Sequence, residues 1–586
     1  MKAPGLTAGH KTLHDNTMDV SRKEKVLWAG FLTLALLLRI VFIFHRYFNT
    51  DEPQHLHVVL GWAHGLIQYR DIFDNHMPLF HILFAPFVRL IGDRADLLVI
   101  MRLTMLPIWG MTLFATYIVA SALWDKRIGW WTVILTSLFP AFFKSSLEFR
   151  TDDLLVMLWM LSLAVLVSGR MRLIRSFFCG VLLGAAFGVS MKSVLLLMSL
   201  ALGGVATMTL CLSEFRRPGC FVSFATNLGT GIVGGMLIPF SIVAWFKLNG
   251  AFGPFYYGVI EHNLLHGLGR SQIAWLPWVF IPSLLAAWTI AWLLFVKGST
   301  SGMQTTKRVL VFMTFAIYVS ALETLWPLIE KQQWLPAFPL LMVFVTPFIN
   351  SFSSRLSGFF SGRYSRQTSP GYGFLLGGAL FAAIWLTMEI PWQNEIEQKL
   401  EIWKAVLSVT NQNDYVMDLK GELLFRPRSV YYVFENITKA RIARGLIDPQ
   451  IPKRLIETKT CVVSNDFCAI TTEFGPKVLL DSVKFIQTNY VSVGPFLVAG
   501  QSLSPRSPYS SQPISFEVVI PSKYQIITPL GPAVGDLDGM PYRGTRFLNP
   551  GRHEFRPSFG EKQLALVWDR AVEKGFLPFA QQRETL

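Results

Sequence analysis

The sequence predicts a polytopic α-helical membrane protein with a separate C-terminal domain. Three observations predict it. Of 586 residues, 52% are hydrophobic and only 16% are charged. The mean hydropathy is +0.41, which argues against a soluble single-core protein. Eleven apolar runs are long enough to cross a bilayer whose core needs ~20 helical residues. Beyond Pro391 the Leu- and Phe-rich runs give way to mixed sequence.

The runs fall at 26–46, 98–124, 128–147, 153–168, 176–191, 193–212, 221–246, 277–296, 309–326, 334–350 and 372–389. A twelfth, "PLFHILFAPFVRLI" at 78–91, is short and carries His81, Pro86 and Arg89, so it reads as an amphipathic helix lying on the membrane surface. Charge decides the parity. With that run off the membrane and the N-terminus inside, five inner loops hold thirteen Lys or Arg against Asp125 and Glu214. The outer loops, chief among them 48–96, hold eight basic against eleven acidic residues. Residues 1–25 are then a cytoplasmic segment, 26–390 the membrane body and 391–586 an extracytoplasmic domain. The polar N-terminus lacks a small-residue cleavage site, so the first run is expected to be a retained anchor.

The net charge of +15 is accounted for by basic inner loops. No cluster of aromatic and basic residues argues for nucleic acid. Cys179, Cys211 and Cys220 lie in or beside apolar runs as small hydrophobes. Cys461 and Cys468 sit in the tail, where an oxidising compartment would let them pair. In that tail "QNEIEQKLEIWKAVLSVT" and "ENITKARIARGLI" read as helices and "DYVMDLKG" as a strand and turn. "ISFEVVIPSKYQIITP", "RFLNPGRHEFRPS" and "KQLALVWDR" read as strands, giving an α+β or β-sandwich domain.

The chemistry-bearing residues collect on the outer face. Asp51 and Glu52 follow the first span, where a carboxylate can meet a substrate whose tail stays in lipid. Asp51 is either a solvated helix N-cap or a reactive group. Arg150, Asp152 and Asp153 stand at the outer end of the third span, about a hundred residues away yet delivered to the same face. Arg39, Arg102, Lys144, Lys192 and Glu323 also fall toward outer span ends. A transporter would place such groups near the midplane within an internal repeat, and no repeat is visible. His55 with His57, or His262 with His266, have the spacing of zinc ligands, but "HNLLH" lacks the glutamate of HExxH. Acidic oxygens for Mg²⁺ or Mn²⁺ are as plausible, with Asp51 and Asp152 as ligands.

"TDEPQHLHVVLGWAHGLIQYRDIFDNHMPLFHILFAPFVRLIG", an inner "DKR" and an outer "RTDDLL" resemble the GT-C superfamily of integral membrane glycosyltransferases. Within it they are most similar to glycosyltransferase family 39, the protein-mannosyltransferase and aminoarabinose-transferase group. The matched positions are Asp51 and Glu52, then Tyr69, Arg70 and Asp71, then His76, Pro78 and Leu79, then Arg150 and Asp152. Met77 stands where the family has a proline. The likeness is strong over 26–200, looser to 350 and weakest in the tail.

The resemblance implies transfer of a sugar from a polyprenyl-phosphate donor to a hydroxyl of a lipid, glycan or protein. An attacking hydroxyl needs a base, and position matters before pKa. Asp51 is the expected base, Glu52 a group that orients sugar hydroxyls, and Asp152 a partner in orienting the site or holding a divalent cation. The leaving phosphate needs cations, for which Arg150, Lys192 and Arg270 are candidates. Tyr69, Arg70, Asp71, His76 and His262 are expected to cradle the donor. No cofactor is expected as a requirement, with Mg²⁺ or Mn²⁺ as the alternative. The competing reading is a flippase for lipid-linked glycans.

Overall fold

The computed structural model describes residues 21–216, 219–265, 267–268, 276–297, 302–326, 329–361, 371–388, 394–467, 477–503, 512–558 and 563–579. Its N-terminal two thirds are helical: α1 (Arg22–His45), α2 (Asp51–Ala63), α3 (Leu79–Ile91), α4 (Leu97–Leu103), α5 (Met105–Leu123), α6 (Lys126–Leu138), α7 (Pro140–Ser145) and α8 (Thr151–Val167). Next come α9 (Leu173–Val189), α10 (Ser193–Leu210), α11 (Leu212–Phe215), α12 (Cys220–Leu248), α13 (Phe252–Tyr256), α14 (Ile281–Ala291), α15 (Met303–Leu325), α16 (Ala337–Ser361) and α17 (Gly371–Thr387).

Helix stands at every predicted span. Among the described residues six helices are long and apolar enough to cross by length and composition alone: 22–45, 97–123, 193–210, 220–248, 278–296 and 303–325. Of the others, α8, α9 and α17 have 17 residues each. The run predicted at 128–147 breaks into α6 and α7 at Phe139, because Pro140 favours extended backbone before it and a new helix start after it.

The surface run is a helix of 13 residues, about 20 Å long and too short for a ~30 Å core. Phe80, Phe84 and Val88 are buried, whereas Leu83, Phe87 and Leu90 are exposed along the opposite side. That exposed stripe gives α3 an apolar face for lipid.

The parity deduced from charge is visible as two segregated sets of loops. At one end Glu24 accepts from Arg127 Nε and Trp131 Nε1, both at 2.8 Å, and Arg308 Nε donates to Leu123 O at 2.7 Å. At the other end Asp51, Arg150, Lys192 and Glu330 gather. Each set contains only loops that parity assigns to one side.

The seam between α9 and α12 is built on glycine. A Cβ on Gly180 would lie 1.9 Å from Gly231 O, and one on Gly184 would lie 2.2 Å from Gly235 O. Without side chains the two backbones touch, the close packing that small residues permit in a membrane.

The tail folds as α18 (Glu397–Val409), β1 (Val416–Met417), α19 (Asn436–Ala443), α20 (Ile451–Glu457), β2 (Val462–Val463), α21 (Lys477–Asn489), β3 (Tyr490–Ser492) and β4 (Leu497–Leu503). The strands β5 (Ile514–Val518), β6 (Ser522–Thr528), β7 (Gly531–Pro532), β8 (Gly535–Leu537), β9 (Met540–Tyr542), β10 (Arg546–Leu548), β11 (Gly551–Pro557) and β12 (Leu564–Trp568) follow, then α22 (Asp569–Glu573). The large sheet runs β1-β2-β4-β12-β6-β10, with β3 on β4 and β7 on β6; the small one runs β5-β11-β8-β9. Phe516, Leu537 and Phe555 of the small sheet share a core with Tyr524, Ile526 and Leu566 of the large one. The domain is therefore α+β, with two sheets closing on one another. Both predicted helices and every predicted strand are present. Asp538 and Gly539, at φ +51° and +76°, make the tight turn of the β8–β9 hairpin.

This domain sits on the face that carries Asp51. Arg426 Nη1 donates to Asp93 at 3.0 Å, His57 Nδ1 meets Leu424 O at 2.8 Å, and Tyr431 donates to the Tyr69 carbonyl. Trp403 stacks on Phe48 at 5.3 Å. Gly421, at φ +101°, lies where a Cβ would be 3.1 Å from the Pro53 backbone.

Gly184→Val is expected to force α9 from α12 and cost about 1–3 kcal/mol as overpacking. Gly204→Ala, in α10 with open space around it, should change little. Thermal unfolding in detergent compares the two; equal midpoints would remove the seam from the account.

Candidate active site

Asp51 begins α2, one residue beyond its N-cap Thr50. Its predicted capping role therefore falls to Thr50's position, and the Asp51 carboxylate is free to face other elements. Oδ2 receives Arg150 Nη2 at 2.7 Å and Oδ1 receives Lys420 of the C-terminal domain. Burial alone would raise its pKa, but Arg150 and Lys420 outweigh it and hold the group well below the ordinary carboxylate range.

Arg150 is the hub. It precedes α8 and is 4% exposed, with Asp51 at 2.7 Å, Asp152 at 3.4 Å, Glu148 at 3.5 Å and Glu330 at 4.0 Å. Burial works against its charge, and Asp51, Asp152 and Glu148 more than restore it. Lys192, just before α10, donates to Asp152 Oδ1 at 2.8 Å. Four segments thus converge on a chain of alternating charges, Lys420–Asp51–Arg150–Asp152–Lys192. The sequence reading brought Asp51, Arg150, Asp152 and Lys192 to one face, and the structure brings them into contact.

Glu52 needs correction. It is fully buried: Oε1 receives Arg102 Nη2 at 2.5 Å and Asn49 N at 2.9 Å, while Oε2 receives Arg102 Nε and Phe149 N at 2.7 and 2.8 Å. No lone pair remains for a sugar hydroxyl. Glu52 ties the start of α2 to Arg102 and to the backbone at Asn49 and Phe149.

The expected donor cradle also divides. His76 faces the cluster, holding Asp74 Oδ1 through Nδ1 at 2.8 Å and lying 4.6 Å from the His55 ring. Tyr69 is buried at φ +70° and donates to His76 O at 2.5 Å, so it shapes the loop. Arg70 and Asp71 pair with each other at 2.8 Å in the open and touch no member of the cluster. His262 is fully buried and meets Glu435 at 3.0 Å, tying the membrane body to the C-terminal domain. Arg270, His266 and Cys468 lie outside the described residues.

Sequence reasoning missed a line of imidazoles behind Asp51. His55 Nδ1 meets His81 Nε2 at 3.1 Å, and His81 Nδ1 lies 3.6 Å from Asp74 Oδ2. Burial pushes His81 down to about 4, and burial with His76 and His81 holds His55 well below the ordinary imidazole range, so both rings are neutral at pH 7. Lys420 and Glu148 were missed too. Lys420 carries no local signal beyond a charged turn.

The donor set does not favour a divalent cation. Arg150 lies between the two carboxylates named as ligands, and each already faces an ammonium or guanidinium. Among the described residues no three His, Cys, Asp or Glu side chains form a metal cluster.

No family model and no curated protein sequence matches the chain. Solved structures do. The structure superposes on "ArnT from Cupriavidus metallidurans in the apo state" over 81% of this chain and 98% of that one, with a TM-score of 0.53 at 11% identity. The chain shares the fold of that structure. The same ArnT bound to undecaprenyl phosphate matches at a TM-score of 0.50 and 11% identity, over 82% and 98% of the chains. The apo oligosaccharyltransferase of Archaeoglobus fulgidus gives a TM-score of 0.41 at 10% identity, over 90% and 75%. Within this fold the charged chain lies at the rim of the membrane body, under the C-terminal domain.

Glu52→Gln leaves Arg102 buried against a neutral amide, an expected cost of about 3–5 kcal/mol. Glu52→Gln/Arg102→Met should cost less than the sum of the single changes, read from thermal midpoints; simple additivity would deny the pairing. Lys420 gives a prediction in pH. Because Asp51's folded pKa lies below its ordinary 3.8, its stabilisation is complete above that value and is lost as pH falls through the folded pKa. Lys420→Met raises the folded pKa, so the acid-unfolding midpoint is expected to move to higher pH.

Proposed function

We propose that the chain is a membrane glycosyltransferase that moves a sugar from a polyprenyl-phosphate carrier to a hydroxyl of a lipid, glycan or protein acceptor. The reaction runs on the extracytoplasmic face of the plasma (inner) membrane. The observation that carries this reading is the charge chain Lys420–Asp51–Arg150–Asp152–Lys192 at the membrane rim. It occurs in the fold shared with an ArnT structure that holds undecaprenyl phosphate.

The acceptor oxygen attacks the anomeric carbon, the bond from that carbon to the phosphate oxygen breaks, and the hydroxyl proton passes to Asp51. Asp51 remains ionised throughout the physiological range, and a well-placed carboxylate serves because the hydroxyl becomes acidic as it bonds. Lys192, with Arg150 behind it, faces the charge that grows on the leaving phosphate, in a partly desolvated site where such stabilisation is strong. Asp152 orients Lys192. His76 supplies a further polar wall.

Asp51→Asn is expected to abolish transfer while leaving insertion and carrier binding intact. Lipid and glycan mass spectrometry of cells expressing either form reads the result, as an acceptor that accumulates without its sugar. Unchanged glycans would remove Asp51 as the base. Carrier movement across proteoliposomes without glycosidic bond formation would replace a transferase with a flippase.

A further inference from the structure

A groove with a charged mouth lies at the other end of the membrane body. Between α9, α12 and the ends of α8, α10 and α15 runs a groove of about 1100 Å³. Its floor is the glycine seam, where Gly180, Gly184, Gly231 and Gly235 keep the surface concave. Its walls are apolar, formed by Leu183, Phe187, Ile232, Met236 and Phe240. From Ser223 to Phe240 the lining extends about 25 Å at 1.5 Å per residue, most of the ~30 Å hydrocarbon core.

One mouth is different. Ser176, Ser223 and Asn227 line it, with Ser176 Oγ donating to Asn227 Oδ1 at 2.9 Å. Beside them stand Arg170 and Lys307, and among the described residues no acidic side chain lines the groove. Neither cation makes an ion pair among the described residues. Arg175 fixes the adjoining loop, donating to Val165 O at 2.5 Å and Ser168 Oγ at 2.8 Å. This mouth is on the face of Glu24 and Arg127, opposite the Asp51 cluster.

We propose that the groove holds a membrane phospholipid with an anionic headgroup, its phosphate on Arg170 and Lys307 and its acyl chains along α9 and α12. Three features select that occupant. Unneutralised cations at the rim of a bilayer attract anionic lipid. Polar groups end where the hydrocarbon lining begins, which matches the boundary within one lipid molecule. The mouth is a membrane thickness away from Lys192 and Arg150, so a carrier phosphate engaged there cannot fill it. The site stands whether or not the chain transfers sugar.

The test uses the full chain in mild detergent and native mass spectrometry, with phosphatidylglycerol and phosphatidylcholine of identical acyl chains in competition. Phosphatidylglycerol adducts are expected to dominate. Arg170→Gln and Lys307→Gln should each reduce the preference about fivefold, Arg170→Lys should retain it, and Ile232→Trp should diminish both adducts by filling the groove. A photoactivatable phosphatidylglycerol on the unaltered protein should label 176–187 and 223–240, which keeps the test alive if a variant does not fold. No preference, preference unchanged in Arg170→Gln/Lys307→Gln, label confined to other helices, or a dimer mass in place of lipid adducts would each overturn the proposal.

Discussion

Arg102 is taken out of water at the rim of the membrane body, and the geometry of the candidate site depends on how that cost is met. A guanidinium at 1% exposure loses several kcal/mol of hydration. Glu52 returns much of it through two parallel hydrogen bonds, and the carbonyls of Arg46 and Tyr47 take two further N–H groups at 2.7 and 2.8 Å. The Phe48 ring covers the guanidinium at 4.5 Å. The end of α1, the start of α2, α4 and the backbone at Phe149 are all bound to one ion pair. The neighbouring Asp51 therefore has little freedom, and it points at Arg150.

The C-terminal domain is part of this arrangement. Lys420 reaches Asp51 because Gly421 lets the chain pass against Pro53, where a side chain would be crowded. Glu435 and Arg426 fasten the same domain through His262 and Asp93. A cluster that looks like the property of the membrane body is completed by a residue 369 positions away.

What the sequence made legible follows from which forces are periodic or cumulative. Apolar runs and loop charge are summed over many residues, so span positions, the parity of the faces and the short surface helix could be read directly. Asp51, Arg150, Asp152 and Lys192 could be gathered because topology alone delivers them to one face. The division of labour between Asp51 and Glu52 could not: adjacent carboxylates look alike until Arg102, fifty residues on, selects one of them. Lys420 lay hidden for the same reason, since a lysine in a turn is ordinary until tertiary packing sets it on a buried acid. The pairing of His55 with His81 required two helices to be placed side by side, and histidine spacing along one helix suggested metal instead.

The members of the charge chain differ in what they are free to do. Arg150 is enclosed by four carboxylates, and its planar fork cannot be turned to a new partner without leaving buried acids unpaired. Lys192 and Lys420 are about a fifth exposed and carry compact charges on flexible stems. In the proposed reaction an arriving phosphate competes with Asp152 and Asp51 for those two ammonium groups, while Arg150 stays in place as framework. If Lys420 turns to the phosphate, Asp51 loses one of the two cations that depress its proton affinity. The carboxylate then becomes a better base when the carrier is bound and remains a poor one when it is not. In that reaction the same interaction that seats the donor would prepare the base, and the chain of alternating charge would couple the two events.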